Sequence, residues 1–181
     1  MPQTRYTLRD ISDLIATVEK RPEEPIFNQL KGLAGRGILQ PIPDHYGKKG
    51  ALLFPEKEVY RARMLLAALD RNLASGELAK FDAQMRFEAQ DVAAIYSFDA
   101  AASDLLAAYE SPEKARTWVF EVGYVRIDGV LGFSGHWIVN NRRRAVDPDW
   151  TELRHGFEGV TTFPFTNLLA PIMGAIRRSE G

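Results

Sequence analysis

Residues 33–59 read LAGRGILQPIPDHYGKKGALLFPEKEV, and this stretch decides the fold of the N-terminal part of the chain. Near its start it contains Gly35 and Gly37, and glycines of this kind are typical of a helix end. The short apolar runs 38–42 and 51–54 flank the polar, glycine-rich and basic segment 43–50, which predicts a β-hairpin. A proline and an acid at 55–56 are typical of the start of a further helix. The stretch therefore predicts a helix end, a hairpin and a new helix in succession.

Two amphipathic helices are predicted upstream of this stretch. Thr7 and Asp10 have the spacing of a capping box, which begins the first helix. Its apolar positions recur at helical spacing, at Leu8, Ile11, Leu14, Ile15 and Val18. Pro25 opens the second helix, residues 25–34, because proline is tolerated in a first helical turn. With a hairpin and a third helix at 55–73, the order of elements is that of a winged helix-turn-helix module.

The second helix carries side chains that are suited to reading DNA bases. Asn28, Gln29 and Lys31 lie off its apolar stripe, and amide and basic side chains can reach base edges in a major groove about 12 Å wide. The alternative is an ordinary solvated helix face. Lys48 and Lys49 lie at the tip of the predicted wing, residues 43–50, where they either contact flanking phosphate or form a plain polar turn.

Two arginines complete the predicted set of DNA-contacting residues. Arg9 on the first helix either contacts phosphate or pairs with Asp13, four residues further on. Arg36 lies between the two glycines that end the second helix. The basic run Arg142–Arg144 lies outside the module, and we interpret it as a solvated loop, with a secondary contact to DNA or to an acidic partner as the alternative.

The N-terminal region resembles the MerR family of transcriptional regulators. The resemblance rests on YTLRDI at 6–11, LAGRGILQP at 33–41 and ALLFPEKEV at 51–59, in this order and spacing, and it covers about residues 5–72. The second helix departs from the family pattern, because IFNQ stands at 26–29 where an arginine-tyrosine-tyrosine motif is usual. The resemblance implies double-stranded DNA binding through a winged helix-turn-helix, and it names no effector.

The remainder of the chain has a different character. Residues 1–75 carry 12 Lys and Arg against 9 Asp and Glu, whereas residues 76–181 carry 11 against 15. Aromatic and β-branched residues from Trp118 onward predict a strand, and Asp128-Gly129 is a typical type I′ turn before a return strand at 130–139. We therefore predict an α+β protein with a DNA-binding domain at 1–76 and a helical and β-hairpin domain at 77–181 that dimerises or senses an effector.

The sequence contains none of several motifs that are typical of enzymes and cofactor-binding proteins. The chain has no cysteine, no nucleophile elbow, no phosphate loop and no dinucleotide fingerprint. We therefore expect neither an enzyme nor a cofactor. The lone His136 fits a structural hydrogen bond better than a metal site. The strand aromatics fit a core or dimer interface better than a ligand pocket.

No run of about 18 apolar residues and no N-terminal signal pattern is visible in the sequence. We therefore expect a cytoplasmic protein of bacterial type with no membrane partner. The leading hypothesis is a transcriptional regulator that binds double-stranded DNA as a homodimer, with a small molecule or a protein as a possible effector. The alternatives are a DNA-binding protein of a phage or mobile element, acting in recombination directionality, packaging or replication, and a winged-helix protein-interaction module.

Overall fold

The computed structural model describes residues 5–91, 94–142 and 156–180. The chain mixes helices and strands, as predicted. In chain order the elements are β1 (Arg5–Tyr6), α1 (Leu8–Glu19), α2 (Glu23–Gly35), β2 (Phe54–Pro55), α3 (Glu56–Asp70), α4 (Leu78–Arg86), β3 (Ala89–Asp91), β4 (Ala94–Tyr96), α5 (Phe98–Glu110), β5 (Trp118–Ile127), β6 (Val130–Val139), β7 (Phe157–Phe163) and α6 (Phe165–Glu180). Arg143 and Arg144 of the predicted basic loop lie outside the described residues.

The chain divides into two compact units, one of residues 1–78 with 168–181 and one of residues 79–167. The predicted domains, 1–76 and 77–181, differ from this division in the C-terminal residues 168–181, which belong to the first unit. Within that unit, Arg177 Nη2 on α6 donates to Glu56 Oε1 on α3 at 2.6 Å. A contact between residues 121 positions apart cannot be inferred from local sequence patterns.

Helices α1 and α2 form as the sequence predicts. The Thr7 side chain accepts a bond from the Asp10 amide at 3.2 Å, and the Asp10 carboxylate accepts one from the Thr7 amide at 2.8 Å, which completes the capping box. Helix α1 ends at Lys20, whose backbone is left-handed (φ 54°). Helix α2 begins at Glu23, so that only three residues separate the two helices.

The predicted hairpin between α2 and α3 is only partly formed. Its arms are held by an Ile42 amide that donates to the Leu53 carbonyl at 2.7 Å and by a single antiparallel bridge between Tyr46 and Leu52. The end of the second arm instead joins the N-terminus, since β2 pairs with β1. Two prolines in the first arm, at 41 and 43, lack the amide that a regular ladder needs, and they account for the irregular pairing.

A buried ion pair attaches the chain after α2 to α3. Glu58 and Arg61 on α3 are each 2% exposed, and the Arg61 guanidinium donates to the Glu58 carboxylate. Arg61 Nη2 also donates to the Ile38 carbonyl at 2.8 Å, and Glu58 Oε2 accepts from the backbone amide of Gln40 at 3.0 Å. The pair therefore satisfies backbone groups that lie beyond the end of α2.

A second group of charges links the end of α1 to α3. Arg21 donates to both carboxylate oxygens of Asp70, at 2.8 and 3.0 Å, and also to Glu19 at 3.2 Å. Arg63, which is buried on α3, donates to the same Glu19. Two arginines and two acids thus connect the last turn of α1 with both the middle and the end of α3.

The second unit contains a three-stranded antiparallel sheet in the order β6-β5-β7. Asp128 and Gly129, which join β5 to β6, both have positive φ (49° and 79°), as the predicted type I′ turn requires. One face of the sheet is packed with aromatic rings in edge-to-face contact, including Trp118 with Trp137 at 5.8 Å and Phe81 with Phe120 at 5.3 Å. The strand aromatics that suggested a core or interface therefore form a core.

We predict that Glu58→Ala lowers the free energy of unfolding by about 3–5 kcal/mol, because the substitution leaves the Arg61 guanidinium buried without its acid. Urea unfolding followed by circular dichroism measures the change. Arg126→Ala is the matched control, since it removes the exposed pair between Arg126 and Glu158, and it should leave the unfolding midpoint nearly unchanged. A loss below about 1 kcal/mol for Glu58→Ala would show that the pair is not required for stability.

Candidate nucleic-acid interface

Helix α2 separates into a buried side and a solvent side. Ile26, Leu30 and Leu33 are fully buried. Asn28 and Lys31 are exposed and lie three residues apart, so they share one face of the helix. Within the described part of the chain, neither side chain forms a hydrogen bond or an ion pair. These two predicted base-reading residues are therefore brought together on a free surface.

Gln29 lies at the border between that surface and the buried side of α2. The side chain is half-buried, and its Oε1 atom is buried without a hydrogen-bond partner among the described residues. The reason is helical geometry, because Gln29 lies three residues after Ile26 and four before Leu33, and both are core residues. The carbonyl oxygen of its amide is therefore less accessible to a base edge than the side chains of Asn28 and Lys31.

Arg9 is occupied by acids on α2. Its Nη1 donates to Glu23 Oε1 at 2.9 Å and to Glu24 Oε2 at 3.2 Å, and its guanidinium lies 3.8 Å from the centre of the Phe27 ring. The predicted partner Asp13 is therefore incorrect. The hydrogen bonds to Glu23 and Glu24 raise the pKa of Arg9, and the bond from Arg9 lowers the pKa of Glu23. The charge of Arg9 is therefore largely balanced by two carboxylates, which weakens its attraction for phosphate.

Arg36 caps the end of α2. Its Nε donates to the Gly32 carbonyl at 3.1 Å, and its Nη1 donates to the Ser75 carbonyl at 2.9 Å. Carbonyls at a helix C-terminus lack intrahelical donors, and an arginine there also complements the helix dipole. The residue is exposed, but these bonds direct two of its nitrogen atoms toward protein backbone. Its predicted contact with DNA therefore competes with a structural task.

Lys48 and Lys49 lie in a short helical turn, Lys48–Gly50, at the tip of the 43–50 segment. Both are exposed, and neither forms an ion pair within the described residues. Lys49 has a left-handed backbone (φ 58°), which turns the chain back toward Leu52. The tip thus presents two adjacent ammonium groups that no carboxylate neutralises, as a phosphate-binding segment requires.

The first turn of α2 and its later part differ in charge. The first turn carries Glu23 and Glu24, whereas Lys31 lies two turns later on the exposed side. Anionic phosphate is disfavoured near the two acids, although Arg9 partly neutralises them. The structure therefore leaves Asn28 and Lys31 as the best placed of the predicted base-reading residues.

Sequence analysis missed one exposed aromatic beside the lysines. Tyr46 is 65% exposed, and it lies opposite Leu52, which is 41% exposed, across the bridge of the partial hairpin. Alternation along the short arms is the signal that could have identified the pair, since residues directly opposite in an antiparallel bridge share a face. The arms pair at a single bridge, so the alternation is too short to recognise in the sequence.

The other singled-out residues show no site of another kind. His136 on β6 is buried opposite Glu121 on β5, with Nε2 and Oε1 3.5 Å apart. Among the described residues no group of three or more potential ligands could hold a metal ion. Within the same residues, no helix is both long and apolar enough to cross a membrane.

We predict that Gly32→Ala stabilises the protein by about 0.5–1 kcal/mol, because a methyl group there meets no atom within 4 Å and alanine is the better helix former. Gly37→Ala is the matched control. It also meets open space, but its φ of +69° strains any side chain, so it should destabilise by about 1–2 kcal/mol. Thermal unfolding of both variants measures the difference. Destabilisation by Gly32→Ala would show that other atoms of the protein pack against this face of α2.

Comparison with known proteins supplies no independent assignment for this surface. No model of a known protein family matches the chain, and no curated protein is significantly similar to it. The resemblance to the MerR family therefore rests on the three motifs within residues 6–59 alone. A function for the chain has to be argued from the charges, exposure and contacts of the residues described above.

Proposed function

We propose that this chain is a sequence-specific DNA-binding transcriptional regulator, with residues 1–76 acting as a winged helix-turn-helix of MerR-like type. One observation carries the proposal. Helix α2 follows α1 after three residues and exposes an unpaired amide and an unpaired ammonium group, at Asn28 and Lys31. In the proposed complex this face of α2 enters the major groove, where such side chains distinguish base pairs.

The 43–50 segment acts as the wing in this proposal. Lys48 and Lys49 contact phosphate beside the groove, and they fix the register of α2 without reading sequence. Arg9 and Arg21 already form ion pairs with carboxylates. Because such a pair carries little net charge, these two arginines add little electrostatic attraction to DNA. Lys31, Lys48 and Lys49 belong to the proposed contact surface and form no ion pair within the described residues, so they provide attraction to DNA there.

One observation favours a second candidate, a protein-interaction module of the same shape. Glu23 and Glu24 place two acids in the first turn of α2, and phosphate would approach that turn in many docking geometries. The two candidates are distinguished by affinity for duplex DNA. A regulator binds a random duplex at low salt and a selected sequence more tightly, whereas an interaction module binds neither.

We further propose that the second unit makes a homodimer, because regulators of this type read two half-sites about one helical turn apart. Strand β6 lies at one edge of the described sheet, and the turn that begins it carries exposed apolar side chains. Ile127 is 68% exposed and Val130 is 70% exposed. An open edge beside apolar residues can pair with the same edge of a second copy.

Alanine substitution tests the proposed reading helix. Asn28→Ala and Lys31→Ala should each weaken binding to a sequence selected from a random duplex pool by about 1–3 kcal/mol, because each removes one base contact. Fluorescence anisotropy measures the affinity. Gln29→Ala is the matched control on the same helix, and it should lose less specificity than either test variant because its amide oxygen is buried. Parental affinity in both test variants would contradict the assignment of α2.

The double substitution Lys48→Ala with Lys49→Ala tests the wing. Binding to all duplexes should weaken alike, and the salt dependence should flatten by about 1 in slope for each phosphate contact that is lost. Anisotropy titrations across a salt series give the slope. An altered sequence preference with an unchanged slope would show that these lysines read bases rather than hold phosphate.

Sedimentation equilibrium of the full chain tests the dimer. The parent should sediment as a dimer, and Val130→Glu should sediment as a monomer, because it places a carboxylate in the proposed apolar contact. Phe87→Glu is the matched control, since Phe87 is also 68% exposed but lies before β3. A monomeric parent would leave the second unit with a different task.

A further inference from the structure

The exposed face of α2 that carries Asn28 and Lys31 begins one turn earlier, at an acid. Glu24 lies four residues before Asn28 and seven before Lys31, which is the spacing of one helix face. Its side chain is 67% exposed. The neighbouring Glu23 lies on the side of α2 that faces α1, because its Oε1 accepts from the Ser12 hydroxyl at 3.1 Å. Of the two acids in this turn, Glu24 is therefore the one that shares the proposed reading face.

Arg9 holds one oxygen of the Glu24 carboxylate. Its Nη1 donates to Glu24 Oε2 at 3.2 Å, and its guanidinium lies against the Phe27 ring, 3.8 Å from the ring centre. Within the described residues the second oxygen, Oε1, accepts no hydrogen bond, so it is available to a donor from a ligand. A side chain that is held before binding also loses less conformational entropy when it binds.

The charge of this turn selects the kind of DNA group that can approach it. Arg9 contacts both Glu23 and Glu24, so one cation balances one of two anions and the turn stays negative. A negative turn repels phosphate, but it does not repel the edge of a base, which presents hydrogen-bond donors and carries no net charge. Glu24 is therefore suited to a base donor and unsuited to the DNA backbone.

We propose that Glu24 determines base specificity by accepting a hydrogen bond from the N4 amino group of a cytosine in the major groove. This inference rests on the proposed function. Cytosine offers this amino group without an acceptor of its own beside it. Adenine also presents an amino group, but its neighbouring N7 acceptor repels a carboxylate. The acid in the first turn thus contributes to DNA recognition rather than opposing it.

The geometry of α2 also predicts where this cytosine lies in the DNA site. Four residues of an α-helix rise about 6 Å, so Glu24 and Asn28 are separated by this distance along the helix axis. Successive bases on one strand are about 3.4 Å apart. A helix that lies along the groove therefore places the cytosine about two base pairs from the base that Asn28 contacts.

The substitution Glu24→Gln separates base reading from simple charge. It keeps the length of the side chain and removes the negative charge, so affinity for a random duplex should stay the same or rise. Preference for cytosine should fall, because glutamine pairs best with adenine, to which it both donates and accepts. A residue with a purely structural task would not lower the preference at one base pair while leaving affinity for random DNA intact.

The test uses the full chain and a duplex that the parent selects from a random pool, in which each base pair is then replaced in turn. Fluorescence anisotropy measures the affinities. Replacing the cytosine by thymine should weaken binding of the parent about tenfold, and binding of Glu24→Gln about twofold or less. Glu23→Gln is the matched control, since it removes the same charge from the same turn but lies toward α1, and it should keep the parental discrimination.

Three results would overturn the inference. Parental discrimination at every base pair in Glu24→Gln would remove Glu24 from the reading face and leave the proposed DNA binding through Asn28 and Lys31 intact. An equal loss of discrimination in Glu23→Gln would show that the preference depends on the charge of the turn and not on a bond to cytosine. No duplex binding by the parent at low salt would reject the proposed function, and the inference with it.

Discussion

The buried pair of Glu58 and Arg61 is the interaction on which the first unit depends. Both charges are removed from water on α3, which is costly unless every polar atom nearby is satisfied. Further bonds from the pair go to the Ile38 carbonyl and the backbone amide of Gln40, in a segment that has no regular structure of its own. The path of the chain between α2 and the 43–50 segment is therefore set by α3. The position of the 43–50 segment relative to α2 therefore depends on this ion pair.

Arginine and lysine have different tasks in the first unit. Arg21, Arg61 and Arg63 form bonds with acids within the unit, and Arg36 binds backbone carbonyls. The planar guanidinium has five donors in a fixed arrangement, so it suits such multiple contacts, whereas an ammonium group on a flexible chain is well hydrated and remains in solvent. The net basic charge of the region is thus a poor guide to its binding surface, because many of its cations are used internally.

The second unit has a core of packed aromatic rings. Trp137 contacts the rings of Trp118, Phe120 and Phe165, and its indole nitrogen donates to the Met85 carbonyl at 2.8 Å. The buried tryptophan thereby contributes apolar area without leaving its polar atom unsatisfied. A side chain at Gly135 would come within 2.4 Å of the Phe120 ring, so the β6 strand can approach this cluster only with glycine there.

Features that depend on near neighbours in the sequence could be predicted from the sequence alone. The Thr7–Asp10 capping box and the Asp128–Gly129 turn were predicted correctly, because each is specified by backbone geometry within four residues. Partners distant along the chain were not predictable. Arg9 bonds to acids 14 and 15 residues away, and the Oε1 atom of the half-buried Gln29 is buried. A helical pattern shows which residues are apolar, but only packing against other elements decides which polar neighbours of the apolar stripe are covered.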